Sequence, residues 1–382
     1  MSPQTIYQYN FPTTIRFGAG SSNELADYLL TNNLTRPLLV TDPTIAELGF
    51  FKTIVNNLKN KNISVIVFSD IHKNPVKSDV YKGTEAFDSG ERDAIVGIGG
   101  GAALDVARAI VLRVHHREDL FKYDDLIGGD VYVTNEVPHF VTLPTTAGTG
   151  SEVGRSAIIS DDTTHQKKIL FSQKLLAKIV FADPLLTMDL PPFVTAATGM
   201  DALTHNMEAY LAKMPHPICE GIALEGISLV SQSLEKAVNR PDLQSRSRML
   251  MASMMGAIAF QKGLGVVHSL AHPLSSLLDT HHGLANALNL PYGMKFNSSG
   301  FEDRFRKIAR TLELREETGA AVVQYLFELN SKINIPHRLR DIGVKPEHIE
   351  PLADLAIADF AHPNNPKPVS REDFRNLYRE AL

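Results

Sequence analysis

Near residue 185 the apolar pattern of this chain changes period, and that change limits the architectures open to it. Upstream, short apolar runs alternate with amphipathic stretches. Thr13 to Phe17, Pro37 to Thr41, Ser64 to Phe68, Ala94 to Ile98, Phe140 to Leu143 and Lys178 to Ala182 read as strands. Helical stretches fall between them, among them 24–30, 76–89 and 103–114. Ala157 to Ser160 and Lys168 to Ser172 flank Asp161-Asp162-Thr163-Thr164 and read as a hairpin. Nearly continuous apolar strands alternating with helices point to a parallel sheet covered on both faces. Beyond Pro191-Pro192, which can open a helix, the period is helical throughout. It predicts helices over 193–213, 217–239, 242–261, 264–278, 283–296, 300–313, 318–333, 346–358 and 370–381. The expected fold is α/β over 1–187 with a mainly parallel sheet, then an all-α domain over 188–382, with a cleft between the halves.

A chain of 382 residues, 43% hydrophobic and 21% charged, is long enough to form both as soluble globular domains. The net charge of -5 comes without a dense basic run. Lys59-Asn60-Lys61 and Arg371 to Arg379 read as solvated helix faces, so no nucleic-acid partner is expected. No run approaches the roughly 18 apolar residues of a membrane span. Met1 to Thr5 has neither a basic nor an apolar leader pattern. A cytoplasmic protein with no membrane partner is expected. Cys219 is the single cysteine, which excludes an internal disulfide and a Cys-rich zinc site. Any metal must be held by nitrogen and oxygen.

Two loops have anion-binding chemistry. Gly97-x-Gly99-Gly100-Gly101-x3-Asp105 joins a strand to a helix. Glycines there let backbone N–H groups approach a ligand at the positive end of the helix dipole, as a pyrophosphate requires. The spacing differs from the G-x-G-x-x-G fingerprint, and a glycine turn can also serve packing alone. Thr145-Thr146-Ala147-Gly148-Thr149-Gly150-Ser151-Glu152 follows the next strand and can complete the cradle, or be only a turn. Asp42 ends its strand, where a carboxylate can take a ribose hydroxyl and repel a 2'-phosphate, favouring NAD over NADP. It can equally cap the helix before Pro43.

The third feature is a set of histidines. Asp201 and His205 are four apart, as are His268 and His272, which places each pair on one helix face. Four of the 14 histidines lie within 268–282. Such pairs are often surface or capping pairs, and a lone histidine on an apolar face is usually a hydrogen-bonded core residue. Several imidazoles in apolar, glycine-spaced segments nevertheless need partners or a metal. The central expectation is one divalent metal held by Asp201, His205, His268 and His282.

Together these motifs resemble the iron-containing alcohol dehydrogenase family (group III). The resemblance rests on Gly99-Gly100-Gly101-x3-Asp105, on Thr145 to Glu152, on Ala196 to His205, and on Val267-His268-x3-His272-Pro273 with His282-Gly283-x2-Asn286-Ala287, and it covers nearly the whole chain. It implies a dehydroquinate synthase-like fold, with a Rossmann-like dinucleotide-binding domain, a helical domain and a metal in the cleft. It implies that Asp201, His205, His268 and His282 are the ligands, and that His272 lies near the substrate without being one. His281 occupies a position that varies and is left out. Asp42, Asn74, Gly99, Gly100, Thr145, Thr146 and Lys168 resemble cofactor-contacting positions, Asn74 and Lys168 on resemblance alone; Gly101, Asp105 and Thr149 join them from the two loops. Ala102 stands where the family usually has serine, which removes one hydroxyl from the pyrophosphate site.

The implied reaction is reversible hydride transfer between NAD(H) and a small primary alcohol or aldehyde. The metal would act as Lewis acid and His272 would relay the proton. Fe(II) is preferred over Zn(II), because four protein ligands plus substrate exceed a tetrahedral shell. Lys262, in Phe260-Gln261-Lys262-Gly263, would favour an anionic aldehyde if it pointed into the cleft, but a solvated surface lysine is the stronger expectation. A metal-independent reductase of the maleylacetate type and a dehydroquinate-synthase-like lyase are the alternatives on this fold. The intact Asp/His set speaks against the first, and the lack of a Lys/Arg cluster near the histidines against the second. A dimer or larger homo-oligomer is implied, through the Phe11 to Phe17 strand.

Overall fold

The computed structural model describes residue 11 and residues 13–164 and 166–382. The chain forms two compact units. One comprises residues 13–146 and 150–189; the other comprises 190–382 together with 147–149.

The first unit is built on six strands: β1 (Thr14–Phe17), β2 (Pro37–Val40), β3 (Ile66–Phe68), β4 (Ala94–Gly99), β5 (His139–Pro144) and, after a hairpin, β8 (Ile179–Ala182). Their order is β1-β8-β5-β4-β2-β3, and every pairing is parallel. The hairpin is β6 (Ser156–Ser160) with β7 (Lys167–Phe171), antiparallel, as the Asp161 to Thr164 turn predicts. Side chains alternate across the sheet. Leu38, Val40, Ile95 and Phe140 pack on one face with α4 (Lys77–Ser89) and α5 (Gly101–His115). Leu39, Val96, Ile98 and Val141 pack on the other with α1 (Leu25–Thr31) and α3 (Gly49–Asn60); the short α2 (Pro43–Ala46) precedes α3. Burial on both faces explains the continuously apolar strands. Each such Leu, Ile or Val contributes about 1.5–3 kcal/mol relative to exposure.

The second unit is helical: α6 (Pro192–Leu211), α7 (Pro217–Asn239), α8 (Leu243–Ala259), α9 (Val266–Leu278), α10 (His282–Ser298), α11 (Glu302–Thr311), α12 (Gly319–Lys332), α13 (Ile349–Ile357) and α14 (Arg371–Ala381). From Thr195 onward α6 is buried on all sides except at Thr198, and it packs on α7, α8 and α10. A helix buried all round is the centre of a bundle, so the polar residues on it face protein. Asp279 ends α9 in the left-handed conformation (φ 51°), which turns the chain into α10. The fold class matches the sequence expectation. Among the described residues no single helix is long and apolar enough to cross a membrane.

Candidate metal centre

Three helices deliver the ligand set. α6 carries Asp201 and His205 one turn apart, α9 carries His268 in its first turn, and α10 begins with His282. Close backbone approach brings them together. A Cβ on Gly283 would lie 2.3 Å from the Ala197 carbonyl oxygen, so only glycine lets the start of α10 rest on α6. Asp201 Oδ1 lies 3.7 Å from His205 Nε2, 3.9 Å from His268 Nε2 and 3.5 Å from His282 Nε2. One ligand atom from each of the four falls within 4.8 Å of the others. Asp201, His205 and His268 are buried, while His282 is 29% exposed and forms the open side.

Surrounding groups fix the imidazoles. His205 Nδ1 faces the Gly148 carbonyl oxygen at 3.3 Å, and His268 Nδ1 faces Glu208 Oε2 at 2.6 Å. Both partners accept, so each Nδ1 carries the proton and each Nε2 turns its lone pair toward Asp201. Asn286 Nδ2 donates to Asp201 Oδ1 at 2.7 Å and lies 3.3 and 3.2 Å from Nε2 of His268 and His282. Burial works to raise the Asp201 carboxyl, but the three imidazoles and Asn286 hold it down at about 2. Burial, with His205 and His272 nearby, pushes His268 well below its usual range. Burial pushes Glu208 up to about 7 against the N–H groups of Val267, Gly265 and His268. One carboxylate and three lone pairs converging on one point, with a single amide among them, form a donor set suited to a divalent cation.

His272 lies outside the four. Its Nδ1 bonds Asp359 Oδ2 at 2.8 Å, and its ring stacks between His282 and Phe360, each at 5.3 Å between centroids. Burial would raise Asp359, yet His272, Ser269 and the Ala361 N–H hold it below its ordinary value.

The loop residues divide by what they touch. α5 starts at Gly101, and its N-cap residue Gly100 gives it no side-chain cap. A Cβ on Gly99 would come 2.6 Å from Ala103 Cβ, and one on Gly100 3.1 Å from Thr146, so these glycines also serve packing. The Thr145 N–H donates to the Gly99 carbonyl, tying the two loops together, while its buried hydroxyl has no partner among the described residues. Thr146 and Thr149 are partly exposed. Asp42 caps α2: Oδ1 takes the N–H groups of Thr44 and Ile45, and Oδ2 lies toward Gly99. Asn74 is exposed in the turn before α4. Lys168 pairs with buried Asp124 at 3.3 Å. Asp105 spends both oxygens inside the protein, on Ser151, Arg108 and the Ile158 N–H, so its contact with the loop runs through Ser151.

Lys262 corrects the sequence expectation. It is 1% exposed, neither solvated nor free. Its Nζ donates to the Tyr210 carbonyl at 2.8 Å and pairs with Glu220 at 3.0 Å, and burial lowers it to about 8. Lysine is seldom buried, which favours the surface, but partners from α6 and α7 make burial tolerable here.

Sequence reasoning passed over Glu208 and Asp359, and quoted Asn286 within a motif without giving it a role. Glu208 stands seven after Asp201 and Asn286 four after His282, so helical spacing could have found both. Asp359 is far from His272 in sequence and left no local signal.

Residues 12–184 match the family described as iron-containing alcohol dehydrogenase, and residues 195–382 match the C-terminal part of the Fe-containing alcohol dehydrogenase family. The 4-hydroxybutyrate dehydrogenase of Cupriavidus necator is 35% identical over 359 residues, covering 91% of this chain and 93% of its own. A crystal structure of 1,3-propanediol oxidoreductase superposes with a TM-score of 0.95 at 31% identity, over 99% of this chain and 100% of that one. Sulfoacetaldehyde reductase from Bifidobacterium kashiwanohense, solved with NAD+, gives 0.89 at 26% identity over 99% of each chain.

Proposed function

Because this chain belongs to the iron-containing alcohol dehydrogenase family, we propose that it is an NAD-dependent alcohol dehydrogenase of small primary alcohols and their aldehydes, with a divalent metal held by Asp201, His205, His268 and His282. The observation that carries this is the convergence of one ligand atom from each of the four within 4.8 Å, with three of the four residues buried. When bound, the metal supplies Lewis acidity toward a hydroxyl or carbonyl oxygen, and the nicotinamide supplies or accepts hydride. Asp201 would offset part of the cation's charge, and the three imidazoles would join it in aiming four donors at the ion. His272, oriented by Asp359 through Nδ1, has Nε2 left to hold or pass the substrate's proton. The uncapped start of α5, with Gly99, Gly100, Gly101, Thr145, Thr146 and Thr149, holds the pyrophosphate by N–H and hydroxyl groups. Asn74 and Lys168 belong to the same reading, and Asp105 supports it through Ser151. Asp42 Oδ2 favours a ribose with a free 2'-hydroxyl, hence NAD.

Four protein ligands favour an ion that accepts five or six donors, so the preferred metal is Fe(II), with Zn(II) as a substitute. The substrate reading is uncharged, because Lys262, the reason for expecting an anion, is already paired. A cytoplasmic location and a homodimer complete the proposal. β1 supports the dimer: among the described residues it pairs only with β8, leaving one edge open. Of the Phe11 to Phe17 stretch, Pro12 lies outside the described residues.

The test is metal analysis of anaerobically purified protein, then a screen of small alcohols and aldehydes with NAD(H) and added Fe(II) or Zn(II). Expected are one metal per chain, net NADH formation, loss of activity on chelation and its return with metal. Activity that survives complete chelation would select the metal-independent reductase; no net NADH with any alcohol would select the lyase.

A further inference from the structure

Glu208 is a buried carboxylate on α6 whose recorded partners are all donors. Its Oε1 accepts the Val267 N–H at 2.7 Å. Its Oε2 accepts the His268 N–H at 3.3 Å and faces His268 Nδ1 at 2.6 Å. α9 has no cap of its own, because its N-cap residue is Gly265. A Cβ at 265 would sit 3.0 Å from Glu208 Oε1, so the glycine makes room for the carboxylate. Glu208, from a neighbouring helix, thus shares the capping of α9 with Asn365, whose Oδ1 accepts the Val266 N–H at 3.1 Å, and Glu208 alone of the two sets the first imidazole on α9.

We infer that Glu208 is a positioning residue for the metal: by accepting Nδ1–H it fixes the ring and tautomer of His268, and its charge joins that of Asp201 to balance a divalent cation. This rests on reading Asp201, His205, His268 and His282 as the ligands. Geometry requires the tautomer, because an acceptor at Nδ1 leaves Nε2 as the lone pair toward Asp201. The charge argument is independent. Three neutral imidazoles and one carboxylate leave a divalent ion with one uncompensated charge in a buried site, and Glu208 removes it.

The test is Glu208→Gln, with metal affinity measured by chelator competition and the visible spectrum of the Co(II)-loaded protein recorded beside wild type. Glutamine keeps the size but presents both a donor and an acceptor, and cannot accept from Val267 and His268 together. Expected are metal binding weaker by about 10–100-fold and a changed Co(II) spectrum in a variant that folds like wild type by circular dichroism. Glu208→Asp, which keeps the carboxylate one methylene shorter, should recover part of the affinity. Unchanged affinity and spectrum in Glu208→Gln would overturn the inference. So would failure of both variants to fold without metal, since Glu208 would then be only a helix cap. If wild type itself binds no metal, the ligand reading has failed rather than the role of Glu208.

Discussion

His272 Nδ1 lies 2.8 Å from Asp359 Oδ2, across 87 residues of sequence, and this contact sets the tautomer of the imidazole. With Nδ1 committed to the carboxylate, Nε2 is the atom that can exchange a proton. Asp359→Asn can instead donate to Nδ1 and favour the opposite tautomer. The expected outcome is a fall in kcat of about 100-fold with bound metal unchanged. His272→Ala should fall about as far, and the double variant no further, because the two act as a unit. Loss of metal from Asp359→Asn would show that the pair serves the ligand set instead.

Lys262 gives a substrate prediction. Its ammonium is held by Glu220 and the Tyr210 carbonyl, and Arg304 binds both of the same groups. Lys262→Met should therefore change KM equally for an ω-carboxy aldehyde and a neutral aldehyde of the same length. It should cost only about 1 kcal/mol, since Arg304 still serves both acceptors. A selective rise in KM for the carboxy aldehyde would return the lysine to the substrate site.

Glu152 gives a pH prediction. It is buried, its Oε1 has no hydrogen-bond partner among the described residues, and burial raises it from 4.5 to about 7. The folded chain holds this proton more tightly than the unfolded one. Its contribution is thus fully present below pH 4.5 and is lost as pH rises through about 7. Glu152→Gln should remove that slope and be more stable than wild type at pH 8 by about 1–3 kcal/mol. Urea melts of both proteins across this range measure it. A less stable variant at pH 8 would mean that the ionised carboxylate is held by Arg108.

Gly99 tests the cofactor loop. A methyl there meets Ala103 Cβ at 2.6 Å, and the first turn of α5 must move to relieve the contact. Overpacking of this kind costs about 1–3 kcal/mol, so Gly99→Ala should weaken NADH binding by about tenfold or more while metal content stays at the wild-type level. Titration of NADH fluorescence reads the first and metal analysis the second. Undiminished NADH affinity would detach this loop from the pyrophosphate.

The amino-acid sequence by itself determined where the chain becomes strand or helix. Burial on both sheet faces forces continuous apolar runs such as Pro37 to Val40 and Ala94 to Ile98, and the helices after residue 190 lie within a few residues of where helical periodicity puts them. The one-turn spacing of Asp201 and His205 was legible for the same reason: neighbours along a helix are fixed by backbone geometry alone. Tertiary structure decided the partners. Nothing near His272 announces Asp359, and nothing near Lys262 announces Glu220. A polar residue on a helix usually marks an outer face, and only the burial of α6 on every side turns Glu208 inward. A local pattern records what each residue needs from water or from its own helix; which distant side chain answers a buried charge is settled when the helices pack.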